Sequence, residues 1–134
     1  KDLMPPGTKN DVLERLRGLV SRAKNEALGP EQAMALAKSA VEREAANLYA
    51  RYQQRLAAFN AVDFDDLIRL PVQMLEADPD FAAGWRERLR YLLVDECQDT
   101  NGAQYRLLKQ LAGPKGRFTC VGDDDQSIYA WRGA

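Results

Sequence analysis

Tyr91-Leu92-Leu93-Val94-Asp95-Glu96 is the stretch on which the reading of the fold turns. Its short continuous apolar run predicts a strand buried on both faces. Thr100 or Asn101 then offers a helix cap, Tyr105, Leu108 and Leu111 recur at helical spacing, and Gly113-Pro114-Lys115-Gly116 ends that helix. Phe118-Thr119-Cys120-Val121-Gly122 is a second apolar run. Strand, helix, strand with both strands apolar is the pattern of a parallel βαβ unit.

Everything before Arg90 reads as helix. Val12, Leu16, Leu19, Val20 and Ala23 lie at helical spacing behind Asn10 or Asp11 as N-cap. Gly29-Pro30 ends that helix and begins another. The second is expected to be long, because Ala37, Val41, Ala45, Leu48, Tyr52, Leu56 and Phe59 make one apolar stripe. Asp63 caps the next helix by accepting from the N–H of Asp66, and Phe64, Leu67, Ile68, Pro71, Met74 and Leu75 are its expected buried face, with a kink at Pro71. Asp78-Pro79 starts a short helix whose Phe81, Trp85 and Leu89 read as core. The expected organisation is a helical hairpin over residues 1–62, followed over residues 63–134 by part of an α/β sheet.

Composition excludes several classes. With 46% hydrophobic and 29% charged residues and a net charge of −1, the chain can build a core and has no overall basic signature of nucleic-acid binding. Residues 1–60 hold ten Lys/Arg against seven Asp/Glu, and residues 61–134 nine against thirteen, an asymmetry that solvated helix faces explain. Two cysteines and no histidine cannot build a metal cluster. Cys97 and Cys120 lie in apolar runs and read as buried, reduced thiols of a cytoplasmic protein. No signal peptide is visible in these residues, and no run among them approaches the length of a membrane span. A start at Lys1 and an uncapped stop at Ala134 suggest a segment of something longer.

The chemistry sits where the first strand ends. Asp95 and Glu96 stand at its carboxyl end, the place where open α/β sheets bind ligands. Nucleotide hydrolysis uses such a pair, one carboxylate for Mg²⁺ and one to orient or deprotonate water. Taken alone, these residues leave a solvated strand end and a catalytic pair equally open.

The residues that follow decide between the two. Asp95-Glu96-Cys97-Gln98-Asp99-Thr100-Asn101, then Gly122-Asp123-Asp124-Asp125-Gln126-Ser127-Ile128-Tyr129-Ala130-Trp131-Arg132-Gly133-Ala134, resembles motifs II and III of superfamily 1 DNA helicases of the UvrD/Rep/PcrA type. Asp63-Phe64-Asp65-Asp66-Leu67-Ile68 resembles a further segment of that family, and order and spacing agree over roughly residues 60–134. The resemblance implies a RecA-like, P-loop NTPase parallel sheet of motor domain 1A, with the upstream helices matching the inserted 1B subdomain in character. It implies ATP and Mg²⁺ as cofactors, single-stranded DNA and duplex or forked DNA as partners beside replication or repair proteins, and a place with the bacterial nucleoid. By the same resemblance Asp95 would hold Mg²⁺ and Glu96 would be the general base. Gln126 would reach the γ-phosphate, and Gln98 would help couple it. Tyr129 and Trp131 would stack on bases, and Arg132 would add a phosphate or stacking contact, a sequence-tolerant mode suited to a translocating motor.

Weighed without the motif, Tyr129 and Trp131 would be core aromatics; the polar Gln126-Ser127 lead-in and Arg132 favour the surface. Asp123, Asp124 and Asp125 read as turn caps and partners of backbone amides, since three adjacent carboxylates cannot all face one ion. Cys97 departs from the family, where an aromatic stands before Gln98. No Gly-x-x-x-x-Gly-Lys-Thr/Ser loop occurs, so the chain alone is expected to be inactive. Two other readings stand beside the motor: a related motor of a helicase–nuclease complex, and a non-catalytic DNA-binding or protein-interaction module on a helicase-like fold. The second has no need of Asp95, Glu96 and Gln126.

Overall fold

The computed structural model describes residues 3, 4, 7–116, 118–123 and 125. Its elements are α1 (Asn10–Asn25), α2 (Pro30–Leu36), α3 (Ala40–Ala58), α4 (Asp66–Ala77), α5 (Pro79–Arg88), β1 (Leu92–Val94), α6 (Gly102–Ala112) and β2 (Phe118–Cys120), with a 3-10 turn at Cys97–Asp99. The chain divides into two compact units, Lys1–Lys24 with Leu28–Leu67, and Asn25–Ala27 with Ile68–Ala134. The described residues are mostly helical, with one small parallel sheet among them.

In the first unit the expected stripes meet. Leu16 of α1 packs with Ala45 and Leu48 of α3, and Leu19 and Val41 close around them, while Val12 lies exposed. The single long helix expected after Pro30 is two helices. Ala37 turns extended and Ser39 starts afresh as N-cap of α3. Ser39 Oγ accepts from the N–H of Glu42 at 3.2 Å and Glu42 Oε2 accepts from the N–H of Ser39 at 2.9 Å, a reciprocal capping box that makes a helix start cheaper here than a continuous helix. The end of α1 also differs. The left-handed residue is Ala27 (φ 54°), with the N–H of Leu28 reaching back to the carbonyl of Ala23 at 2.9 Å, as in a Schellman ending. Gly29 is instead extended and caps α2.

Burial runs against residue type at Lys24, Asp66 and Arg69. Lys24, on the last turn of α1, is 1% exposed, and its Nζ lies 2.5 Å from Asp63 Oδ2 and 3.1 Å from Asp66 Oδ1. The rings of Tyr49 and Tyr52 approach the ammonium with centroids at 5.5 and 5.1 Å. Asp66 is as deeply buried and also receives the amide of Gln53. Asp63 caps as expected, accepting from the N–H of Asp66 at 3.0 Å. Burial, then the hydrogen bond with Asp63, push the Tyr52 phenol up to about 12, and burial, then the like charge of Asp63, raise Asp65. α4 buries Leu75 and packs Ile68 against the core as expected, but not the whole expected face. Its buried stripe is Asp66, Arg69, Val72 and Leu75, whereas Phe64, Leu67 and Met74 are exposed. The helix runs on through Pro71.

In the second unit Val72, Ala27 and Ala103 form the core, lined by Ile68 and Leu107. Arg106 ties α6 down through Glu76 and through the carbonyl of Glu26, at 2.8 Å. Asp78 caps α5 by accepting from the N–H groups of Asp80 and Phe81. Phe81 and Trp85 are exposed rather than core: they pack edge to face on each other at 6.4 Å, Arg88 covers the indole, and Ala82 takes the buried position. β1 and β2 pair in parallel with Leu92 opposite Phe118, Leu93 opposite Thr119 and Val94 opposite Cys120. They are more exposed than the apolar runs predict, because among the described residues the sheet has two strands and therefore two open edges.

Replacing Lys24 by Met leaves Asp66 buried beside Asp63 without its cation. Stability measured by urea denaturation is expected to fall by about 3–5 kcal/mol. Adding Asp63→Asn and Asp66→Asn should recover much of that loss; no recovery would mean that packing, not charge, sets the cost.

Candidate active site

Beyond Val94 the parallel ladder departs from regularity at one residue. The N–H of Val121 donates to the carbonyl of Val94 at 2.8 Å, so the next bond should run from the N–H of Glu96 to the carbonyl of Val121. Cys97 makes it instead, at 3.1 Å. Glu96 is the extra residue and takes the left-handed conformation (φ 54°, ψ 43°). It is a bulge, and its effect is to re-aim the side chain at the strand end. Left-handed backbone at a non-glycine residue costs about 1–2 kcal/mol, so something must hold it.

Three contacts do so. Asp95 Oδ1 accepts from the N–H of Glu96 at 2.9 Å. Gln98 Nε2 donates to Glu96 Oε2 at 2.5 Å, and Gln98 Oε1 accepts from the N–H of Asp123 at 3.1 Å. One amide thus joins the carboxylate after β1 to the backbone after β2. Gly122 is needed here for space: a Cβ would come within 2.5 Å of Gln98 Oε1 and 3.2 Å of the backbone nitrogen of Cys97. Asp123 in turn accepts from the N–H of Asp125 at 3.0 Å, a turn-forming role of the kind expected for these aspartates. The 3-10 turn then hands over to α6, capped by Asn101, whose side chain accepts from the N–H of Gln104 at 3.0 Å.

Asp95 and Glu96 are exposed and Gln98 half-buried, so both carboxylates face outward from the strand end. Carboxylate oxygens suit a hard cation such as Mg²⁺, which needs one or two of them and fills its other positions with water and phosphate oxygens. The donor set fits that pattern. No group of three or more acidic, Cys or His side chains able to cage an ion occurs among the described residues. Asp99 Oδ1, close by in sequence, is buried without a hydrogen-bond partner. The cysteines depart from expectation: Cys97 is half-buried and Cys120 exposed. A hydrogen bond with Cys120, and after it burial, push the Cys97 thiol up.

The structure therefore brings together Asp95, Glu96 and Gln98. Gln126, Tyr129, Trp131 and Arg132 lie outside the described residues. Sequence reasoning missed the left-handed Glu96 and the partnership of Gln98 with the backbone of Asp123. The Gly-Asp pair directly after an apolar run was the available signal of a close approach.

The sequence matches the UvrD/REP helicase N-terminal domain over residues 4–134. The chain belongs to the UvrD/REP helicase family. It is 49% identical over 123 residues to the ATP-dependent DNA helicase Rep of Salmonella typhimurium and, equally, to that of Escherichia coli K12, covering 92% of this chain and 18% of each relative. The ATP-dependent DNA helicase UvrD1 of Mycobacterium tuberculosis is 48% identical over 129 residues, covering 89% of this chain and 17% of the relative. The chain thus spans less than a fifth of the length of these UvrD/REP relatives. Among its described residues no helix is long and apolar enough to cross a membrane.

Because asparagine tolerates left-handed backbone, Glu96→Asn is expected to leave the denaturation midpoint unchanged or raised. Glu96→Val should lower stability by about 1–2 kcal/mol. Equal losses in both would assign the effect to the lost bond from Gln98 rather than to the backbone.

Proposed function

We propose that this chain is the segment of an ATP-dependent DNA helicase that carries the hydrolytic carboxylates and the link from nucleotide to DNA. The observation that carries the proposal is the bulge after β1, which turns Glu96 outward next to Asp95 and ties it through Gln98 to the start of the segment after β2. On this reading residues 63–134 belong to a RecA-like motor domain and residues 1–62 to a helical subdomain.

Bound Mg²⁺ would supply charge neutralisation at the phosphates, with Asp95 as its protein ligand. Glu96 would take a proton from the attacking water, held in position by the amide of Gln98. Gln98 would transmit the state of that carboxylate to Asp123, three residues before Gln126, which would sense the γ-phosphate. Tyr129, Trp131 and Arg132 would meet single-stranded DNA by stacking and by phosphate contact. The parent would move along single strands and part duplex or forked DNA, in the bacterial cytoplasm and alongside replication or repair proteins. The names of the Rep and UvrD1 relatives support this assignment.

The test is the ATPase rate of the full-length gene product with and without single-stranded DNA, beside Glu96→Gln. DNA is expected to stimulate turnover, and the variant to lose roughly 10²–10⁴-fold while still binding DNA. DNA binding with no DNA-dependent turnover in the parent would overturn the motor reading in favour of a binding module. The 134-residue chain by itself has no phosphate-cradling loop and is expected to release no phosphate above background.

A further inference from the structure

The end of the sheet away from the acid pair holds a recess that the proposed reaction does not use. It lies within the second unit, where α5 runs into β1 and α6 leads on toward β2, and encloses about 580 Å³. Half-buried Leu89, Leu92 and Leu111 give it an apolar floor. Arg86, Arg90 and Lys115 stand around them, with Glu87 as the one acidic lining residue. Residues 61–134 carry nine Lys/Arg against thirteen Asp/Glu, yet three of the nine and one of the thirteen gather here, which reverses the sign locally.

Arg86 is built into place. Its Nε donates to the carbonyl of Gln110 at 2.7 Å and its Nη2 to Gln110 Oε1 at 3.2 Å. A Cβ at Gly113 would come within 2.8 Å of Arg86 Cδ, so the glycine leaves room for the stem. Both partners are neutral and Nη1 is unused, so the fixed guanidinium has no counter-charge among the described residues. Arg90 and Lys115 have no carboxylate partner among those residues either. A guanidinium held before its ligand arrives loses little freedom on binding.

We propose that this recess is a docking site for an acidic segment of a partner protein, one that carries a bulky apolar residue between carboxylates. The apolar side chain fills the floor between Leu89, Leu92 and Leu111, and a flanking carboxylate accepts from Nη1 of Arg86. Arg90 and Lys115, exposed at the rim, steer the segment in and give its binding a salt dependence. A nucleic acid fits less well. Phosphates have no use for the apolar floor, and no aromatic ring lines the recess for a base to stack on. The site lies at the amino end of β1, whereas Asp95 and Glu96 follow its carboxyl end, and it does not rest on the motor reading.

The experiment titrates a fluorescein-labelled peptide, aspartates flanking a leucine–phenylalanine pair, with the full-length gene product at low salt and reads anisotropy. Saturable binding is expected, weakened roughly tenfold by Arg90→Glu combined with Lys115→Glu, two changes at exposed positions. Arg86→Lys keeps the charge without the fork and is expected to weaken binding by a similar factor. A peptide with asparagines for its aspartates, or serines for its apolar pair, should not bind. No binding by the parent, or equal binding by the charge-reversed variant, would overturn the site. Full affinity in Arg86→Lys would overturn the anchor, and equal binding of the asparagine peptide would overturn the acidic partner. Loss of affinity for labelled oligothymidylate in the charge-reversed variant, with peptide binding unchanged, would reassign the surface to nucleic acid. The titration needs no ATP, so failure of the motor reading leaves its outcome standing.

Discussion

The carbonyl of Val121 accepts one N–H from the chain leaving β1, and the donor is Cys97 rather than Glu96. Much of the site's geometry follows from that substitution. Skipping one residue throws Glu96 into left-handed backbone, turns its carboxylate outward, and sets Gln98 at the distance from which one amide reaches both Glu96 and the N–H of Asp123. It also brings the chain so close to Gly122 that no side chain fits there. The bulge is local strain held by side-chain hydrogen bonds, as expected where a fold gives up some stability to present a reactive group.

The first unit answers a different constraint, the burial of a full positive charge. Lys24 has two carboxylates and two aromatic rings around it, and each does part of the work that water would otherwise do. The arrangement also fixes the start of α4, because Asp63 both caps that helix and pairs with the ammonium. An Asp-rich turn that looks, in sequence, like simple helix capping is also the counter-charge of a lysine 39 residues earlier.

What was legible in the sequence was local. The strand–helix–strand order, the caps at Asp63, Asp78 and Asn101, and the acid pair at the strand end all depend on neighbours a few residues apart, and each was readable. What was not legible depended on partners far along the chain or on competition between two good signals. The Ser39-x-x-Glu42 box was present, but the apolar stripe kept its phase across it and suggested one helix. Phe81 and Trp85 satisfy each other, so helical spacing of aromatics did not imply a core. Nothing local marks Lys24 as buried or Glu96 as left-handed, since both states are imposed by a second segment.

The bulge also bears on how this site could change over generations. Two residues on the β1 side are counted against one on the β2 side, and the reach of Gln98 depends on that count. Exchanging one side chain for another, as with the cysteine that follows the acid pair, leaves the count intact. Gaining or losing a codon between Val94 and Gln98 would bring a different residue to the acid's position and leave the amide bridge short. At Cys97 the segment is therefore open to a change of side chain, while along its whole run it is closed to a change of length.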